Sequence, residues 1–144
     1  MLIENQNVVS PEVARLYSPL SLAFLGDAVY GLMVRSHLSG HGSIPAKLSH
    51  RLSKKFVSAD NQSKICDLLI PLLNEEESDI FRRARNSKPP SRARNMSSAD
   101  YMKATALESL FGFLYLTGQH ERLGELFCVI IDEYEEATTD ITKK

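Results

Sequence analysis

The sequence predicts an all-α protein, and three observations carry that prediction. Apolar residues recur at i, i+3, i+4 and i+7 in one segment after another. Serine, asparagine and proline stand where helices start, and glycine where they stop. Strand alternation, hairpin dipeptides and internal repeats are missing. The 144 residues, 43% apolar and 24% charged, suit one ordinary domain with its own core. No apolar run approaches the roughly 20 residues of a membrane span, and Asp27 and Arg35 interrupt the best candidate. The first residues, MLIENQNVVSPEVARLYS, lack the basic and apolar blocks of a secretory signal. Cys66 and Cys128 form neither a disulfide framework nor a zinc pattern, and are read as core thiols of a reducing cytosol.

Taken in order, residues 1–17 are a leader ending in a short helix opened by Ser10-Pro11. Ser18-Pro19 opens the next helix, with serine as cap and proline at the first helical position. It runs to about Ser39, where SGHGS ends it through the left-handed conformation glycine adopts. Ile44-Pro45 starts a segment in which Leu48, Leu52, Phe56 and Ala59, then Ile65, Leu68, Leu69 and Leu72, keep helical spacing, with a break expected near residues 57–60. Asn74 caps the acidic first turn Glu75-Glu76-Glu77, which suits the positive end of the helix dipole. The stretch SKPPSRARNMS is a long loop, a class of segment that often carries function. Ser97 or Ser98 caps ADYMKATALESLFGFLYLTG, which Gly118 closes. A last helix from Glu121 to about Glu136 puts Leu123, Leu126, Phe127, Ile130, Ile131 and Tyr134 on one side, before a polar tail over 138–144.

Two helices are apolar on every face, and each holds one acid well inside its length. In LAFLGDAVYGLMVRSHL, Asp27 shares a face with Leu20, Phe24, Gly31, Val34 and Leu38, while Leu22, Leu25, Val29, Leu32 and Met33 lie opposite. Such a helix is buried from two sides, by its own domain and by a partner. In the later helix Glu108 shares a face with Tyr101, Ala104, Thr105, Phe111, Gly112 and Tyr115. Gly31 and Gly112 each follow an acid by four residues, which suggests close approach of a backbone, a helix or a ligand. An ionised carboxylate in these settings needs a partner, a hydrogen bond or a metal. Arg35, Lys103 or a loop arginine is the plain structural answer.

Charge is unevenly placed. The net value is −1, yet Arg82, Arg83, Arg85, Lys88, Arg92, Arg94 and Lys103 face the single acid Asp100 between residues 81 and 103, and seven acids outnumber three bases from Gln119 onward. The basic stretch is either a solvated surface or a phosphate-binding one. His37, His41, His50 and His120 show no ligand or catalytic spacing, and nucleophile motifs and Gly-rich phosphate loops are absent. Two recessed carboxylates with a separate band of arginines match metal-dependent phosphodiester hydrolysis: hard oxygen ligands hold Mg²⁺, and cations outside the centre neutralise backbone phosphates.

FLGDAV within the first of these helices resembles the signature segment of the ribonuclease III endonuclease domain, and TALESLFGFLYL resembles that family's second motif. The resemblance spans residues 18–137. The length leaves no room for a double-stranded-RNA-binding domain, and with RRARNSK it resembles the family's single-domain mini branch. The resemblance implies Asp27 and Glu108 as catalytic and Mg²⁺-binding residues, and a homodimer packed through the signature helices. It implies cleavage of double-stranded RNA, with precursor large-subunit (23S) ribosomal RNA as substrate, 5′-phosphate and 3′-hydroxyl ends, and help from a ribosomal protein left open. Arg83, Arg85, Asn86 and Lys88 resemble the branch's RxRNxK segment, with Arg92 and Arg94 extending it and Lys54, Lys55 and Gln62 as weaker RNA contacts. The larger enzymes carry further acids where this chain has Ala23 and Thr105, which leaves the number of ions open. The alternative is a non-catalytic RNA-binding module on the same fold.

Overall fold

The computed structural model describes residues 7–87 and 98–134, and all regular structure among them is helical. The helices are α1 (Pro11–Ala14), α2 (Pro19–Ser39), α3 (Ala46–Val57), α4 (Ala59–Leu69), α5 (Glu75–Arg85), α6 (Ser98–Leu116) and α7 (His120–Glu133), with one 3₁₀ turn at Ile70–Leu72. The start signals act as read. Ser10 Oγ accepts the Val13 N–H, and Ser18 Oγ accepts the Ser21 N–H at 3.1 Å with Pro19 behind it. The expected break falls at Ser58, which ends α3 and caps α4. Asn74 and Glu77 close a reciprocal capping box, each side chain accepting the other's backbone N–H.

One stop signal works differently. Gly40, at the end of α2, stays right-handed with φ −65°, and the positive φ of 116° belongs to Gly42. At the end of α6 the expected glycine does the turning: Gly118 has φ 73°.

α6 is the axis of the domain. Ala106, Leu107, Leu110, Phe111, Phe113 and Leu114 are wholly buried, because α1, α2, α4, α5 and α7 all pack against it. This explains an apolar sequence with no polar face. α7 contributes Leu123, Leu126, Phe127 and Ile130 to the same core, and α3 leans on α2 and α4. Tyr30 lies at the centre, edge-on to Phe111 at 5.3 Å, its hydroxyl donating to the Phe56 carbonyl at 2.9 Å.

α2 is buried on one side only. Leu22, Ala23, Gly26, Val29, Tyr30, Gly31, Val34 and Leu38 face the domain. The stripe expected to run from Leu20 to Leu38 divides. Its later half is covered in the region where α3 packs, whereas Leu20, Phe24 and Asp27 stand exposed, Phe24 at 84%. Asp27 is therefore not the buried acid that the pattern suggests.

α5 is locked to α7 by an ion pair that periodicity does not reveal. The Glu77 carboxylate, 1% exposed, receives the Arg122 guanidinium through Nε and Nη2, both at 2.8 Å. Arg122 Nη2 also donates to the Leu72 carbonyl at 2.7 Å and Nη1 to Glu125 at 3.0 Å.

Candidate active site

Two glycines bring α2 and α6 into backbone contact. A Cβ added at Gly26 would overlap the Glu108 carbonyl, and one added at Gly112 would overlap the Leu22 carbonyl. No flexible side chain is available to yield at either place, so any side chain forces the helices apart. The expectation holds for Gly112 and fails for Gly31, where a Cβ would meet only the end of the flexible Arg35 side chain. Gly26 is the true counterpart of Gly112. Its neighbour in sequence is Asp27, and the carbonyl it touches is that of Glu108, so the crossing itself places the two acids side by side.

Their chemistry follows from that placement. Asp27 is exposed at the edge of α2, while Glu108 is largely buried on α6. Burial, the adjacent Asp27 charge and a hydrogen bond to Asp27 together push the Glu108 carboxyl up to about 8. That hydrogen bond joins the two acids directly beside the helix crossing. The field of Glu108 reaches Tyr30 beneath it, whose phenol is raised chiefly by burial.

The plain structural answer fails among the described residues. Arg35 Nη1 donates to the carbonyl of Gly31 at 3.2 Å, and Lys103 pairs with Asp67 at 2.9 Å. No ion pair there reaches either acid. No group of three or more His, Cys, Asp or Glu side chains forms among those residues either. Ala23 and Thr105, buried on the same two helices, supply no further carboxylate. The donor set is two hydrogen-bonded carboxyl groups, and a hard divalent cation fits it, because both are oxygen ligands that supply negative charge once deprotonated.

The predicted RNA contacts separate into four groups. Lys54, Lys55, Arg85 and Asn86 are exposed, Lys54 and Lys55 at the end of α3 and Asn86 as the C-cap of α5. Arg83 is engaged: Nη1 donates to the Arg15 carbonyl at 2.6 Å and Nη2 to that of Tyr17 at 3.4 Å, so α5 is tied to the α1–α2 turn. Gln62 is 5% exposed and belongs to the interior, where a duplex does not reach it. Lys88, Arg92 and Arg94 lie outside the described residues, as does the tail over 138–144.

Among the histidines, His41 and His50 are exposed as expected. His37 and His120 are half-buried, with His37 Nε2 and His120 Nδ1 unpaired among the described residues. Cys66 is a core thiol as read, its Sγ 3.0 Å from the Lys103 carbonyl, and burial pushes it up to about 12; Cys128 is exposed instead. No helix among the described residues is long and apolar enough to cross a membrane.

With this geometry in view, comparison with known proteins is decisive. The model of the ribonuclease III domain matches residues 20–119, from the start of α2 to just beyond α6. The chain belongs to the ribonuclease III family. It is an endoribonuclease of that family. It is 44% identical over 111 residues to the mini-ribonuclease 3 of Brevibacillus brevis, covering 77% of this chain and 83% of the relative. It is 37% identical over 134 residues to that of a Thermoanaerobacter species, covering 93% and 94%. A crystal structure of a Fusobacterium nucleatum protein superposes with a TM-score of 0.75 at 34% identity, covering 83% of this chain and 96% of that one.

Proposed function

We propose that this endoribonuclease cleaves double-stranded RNA using Mg²⁺ held by Asp27 and Glu108, leaving 5′-phosphate and 3′-hydroxyl ends. The observation that carries this reading is the carboxylate pair at the glycine crossing, since neither acid has a cationic partner among the described residues. A divalent cation there activates water and stabilises charge on the phosphoryl oxygens. Asp27, at the exposed edge, meets substrate from solvent, while Glu108 is fixed from below by the crossing. Duplex RNA fits because its A-form backbone is recognised by shape and phosphate contact, which exposed cations such as Arg85 supply.

The working unit is a homodimer. Phe24 is 84% and Leu16 83% exposed, and Leu20 stands beside Phe24 on the open face of α2. An apolar strip of this kind is what a second copy would cover. The cellular substrate is precursor 23S ribosomal RNA in the cytoplasm, a reading that rests on the similarity to mini-ribonuclease 3 proteins.

Digestion of a long RNA duplex with Mg²⁺, and again after chelation, tests the activity. Cleavage requires the metal, and Asp27→Asn lowers the rate by about 10³ or more, as loss of several kcal/mol of transition-state stabilisation demands. The variant stays folded and dimeric by light scattering. Retained cleavage after chelation removes the metal from the chemistry, and retained cleavage by Asp27→Asn removes Asp27. Duplex binding without cleavage by the parent protein would favour the RNA-binding module.

A further inference from the structure

We infer that Ser109, the residue after Glu108, is a positioning residue for the carboxylate pair: its hydroxyl, bonded across to the first turn of α2, fixes how α2 is turned at the glycine crossing. The inference rests on the reading of Asp27 and Glu108 as the metal-holding pair.

Ser109 is wholly buried in α6, and its Oγ donates to the Pro19 carbonyl at 2.7 Å, 90 residues away in sequence. A serine or threonine within a helix commonly turns its hydroxyl back to a carbonyl of the preceding turn. Thr117, just past the end of α6, does so: its Oγ1 donates to the Phe113 carbonyl at 2.7 Å. Ser109 gives its one proton to another helix instead. The acceptor is rigid. Pro19 is the first residue of α2, its φ is held by the ring, and Ser18 Oγ caps that turn by accepting the Ser21 N–H at 3.1 Å.

The bond does what the glycine contacts cannot. Pro19, Leu22 and Gly26 follow i, i+3 and i+7, one row along α2, and on α6 this row meets Glu108, Ser109 and Gly112. At Leu22 and Gly26 backbone lies against backbone, which sets how close the axes come but has no preferred direction. Those contacts alone would let α2 turn about its own axis or swing across α6. A hydrogen bond weakens steeply as it bends, so the Ser109 contact resists both motions. Pro19 lies seven residues before Gly26, about 10 Å along α2, so the bond holds the helix well away from the crossing point. A carboxylate at the rim of a helix stands roughly 5–6 Å from its axis, so turning α2 by about 10° moves Asp27 by about 1 Å relative to Glu108. A displacement of that size costs about 10²-fold in rate. Ser109, with no exposed surface, does not meet the substrate and acts through the helix that carries Asp27.

The test compares Ser109→Ala with Thr117→Val in the full chain, since each removes a buried hydroxyl bonded at 2.7 Å to a carbonyl. Both variants melt a few degrees below the parent. Only Ser109→Ala loses kcat on a long RNA duplex at saturating Mg²⁺, by about 10–100-fold with KM within about twofold. Its Mg²⁺ affinity, read by calorimetry, weakens by about tenfold, and that of Thr117→Val stays at the parental value. Ser109→Cys, a weaker donor of similar shape, falls between the parent and the alanine variant in both readouts. Parental kcat and Mg²⁺ affinity in Ser109→Ala overturn the inference and leave the bond a structural one. An equal loss in Thr117→Val overturns it too, as does a cysteine variant no better than alanine, because packing would then set the rate. If the parent protein neither binds Mg²⁺ nor cleaves the duplex, the proposed function falls and takes this role with it.

Discussion

Two glutamates on neighbouring helices, Glu77 of α5 and Glu108 of α6, show opposite ways of burying an acid. Glu77 is the more buried, yet its charge is fully answered: a two-pronged guanidinium from Arg122 and the Asn74 backbone N–H. Glu108 has for its neighbour another carboxylate, and burial together with that neighbour pushes its carboxyl up to about 8. Burial alone therefore does not mark function. What separates the two is whether the fold supplies the opposite charge. At Glu77 it does, and the result is an anchor between α5, α7 and the 3₁₀ turn. At Glu108 the fold forces like charges together through Gly26 and Gly112 and leaves the compensation to a ligand.

Removing the answer at Glu77 is the strongest way to break this contrast. Arg122→Ala leaves a nearly inaccessible carboxylate with only its cap, and stability falls by about 3 kcal/mol. For a domain of this size that corresponds to a melting temperature lower by about 10 °C, read by circular dichroism. Cleavage by the folded variant stays within about twofold, because Arg122 binds Glu77, Glu125 and the Leu72 carbonyl and forms no ion pair with either acid of the site. A variant with normal melting and lost cleavage would place Arg122 in the active site and end the comparison.

Neutralising Glu108 should do the reverse. A carboxyl whose folded pKa is raised binds its proton more tightly in the native state than in the unfolded chain. The metal-free protein then loses stability as pH climbs from about 4.5, the ordinary value, to about 8, and is unaffected below that window. Glu108→Gln removes the loss while keeping a hydrogen-bond partner for Asp27. In the presence of chelator the variant is more stable than the parent by about 2 kcal/mol at pH 8 and no different at pH 4. The gain is less than the full shift implies, because Asp27 stands in solvent where repulsion is screened. Thermal melts of both proteins across that range decide it, and parallel curves would mean that neither burial nor Asp27 raises the Glu108 carboxyl.

How much of this was legible in the sequence depends on the range of the interaction involved. Caps at Ser18, Ser58 and Asn74 act over three residues, and they stand where the sequence put them or the break it allowed. The two acids stood out because they broke apolar helices, and the structure does bring them together. The pattern makes both acids recessed, and only Glu108 is, since a helical wheel gives a face but not what covers it; α3 reaches the later half of α2 and leaves Phe24 and Asp27 open. Gly31 was singled out by its spacing from Asp27, yet the crossing point selects Gly26, a choice fixed by a helix more than 80 residues away. Glu77 read as a helix-dipole acid because Arg122, 45 residues on, has no local signature. Gln62 read as a surface amide for the same reason. A signal for Gly26 was present in FLGDAV itself, as a glycine inside an apolar helix next to the acid.

The smallest expected effect concerns two arginines on α5 that repeat the contrast in positive charge. Arg83 is engaged with the carbonyls of Arg15 and Tyr17, whereas Arg85 is exposed and joins no ion pair among the described residues. Their spacing in sequence gives no hint of the difference, and the RxRNxK resemblance treats them alike. Arg83→Ala should cost about 1 kcal/mol of stability, the value of a charge-assisted hydrogen bond at a partly open site. It should leave the salt dependence of duplex binding unchanged. Arg85→Ala should leave melting unchanged, weaken duplex binding a few-fold and lower the salt slope by about 1, as loss of one phosphate contact does. Running both measurements on both variants separates the roles. If Arg83→Ala lowers the salt slope as Arg85→Ala does, its guanidinium leaves the α1–α2 turn for the duplex, and the carbonyls of Arg15 and Tyr17 hold it only while RNA is absent.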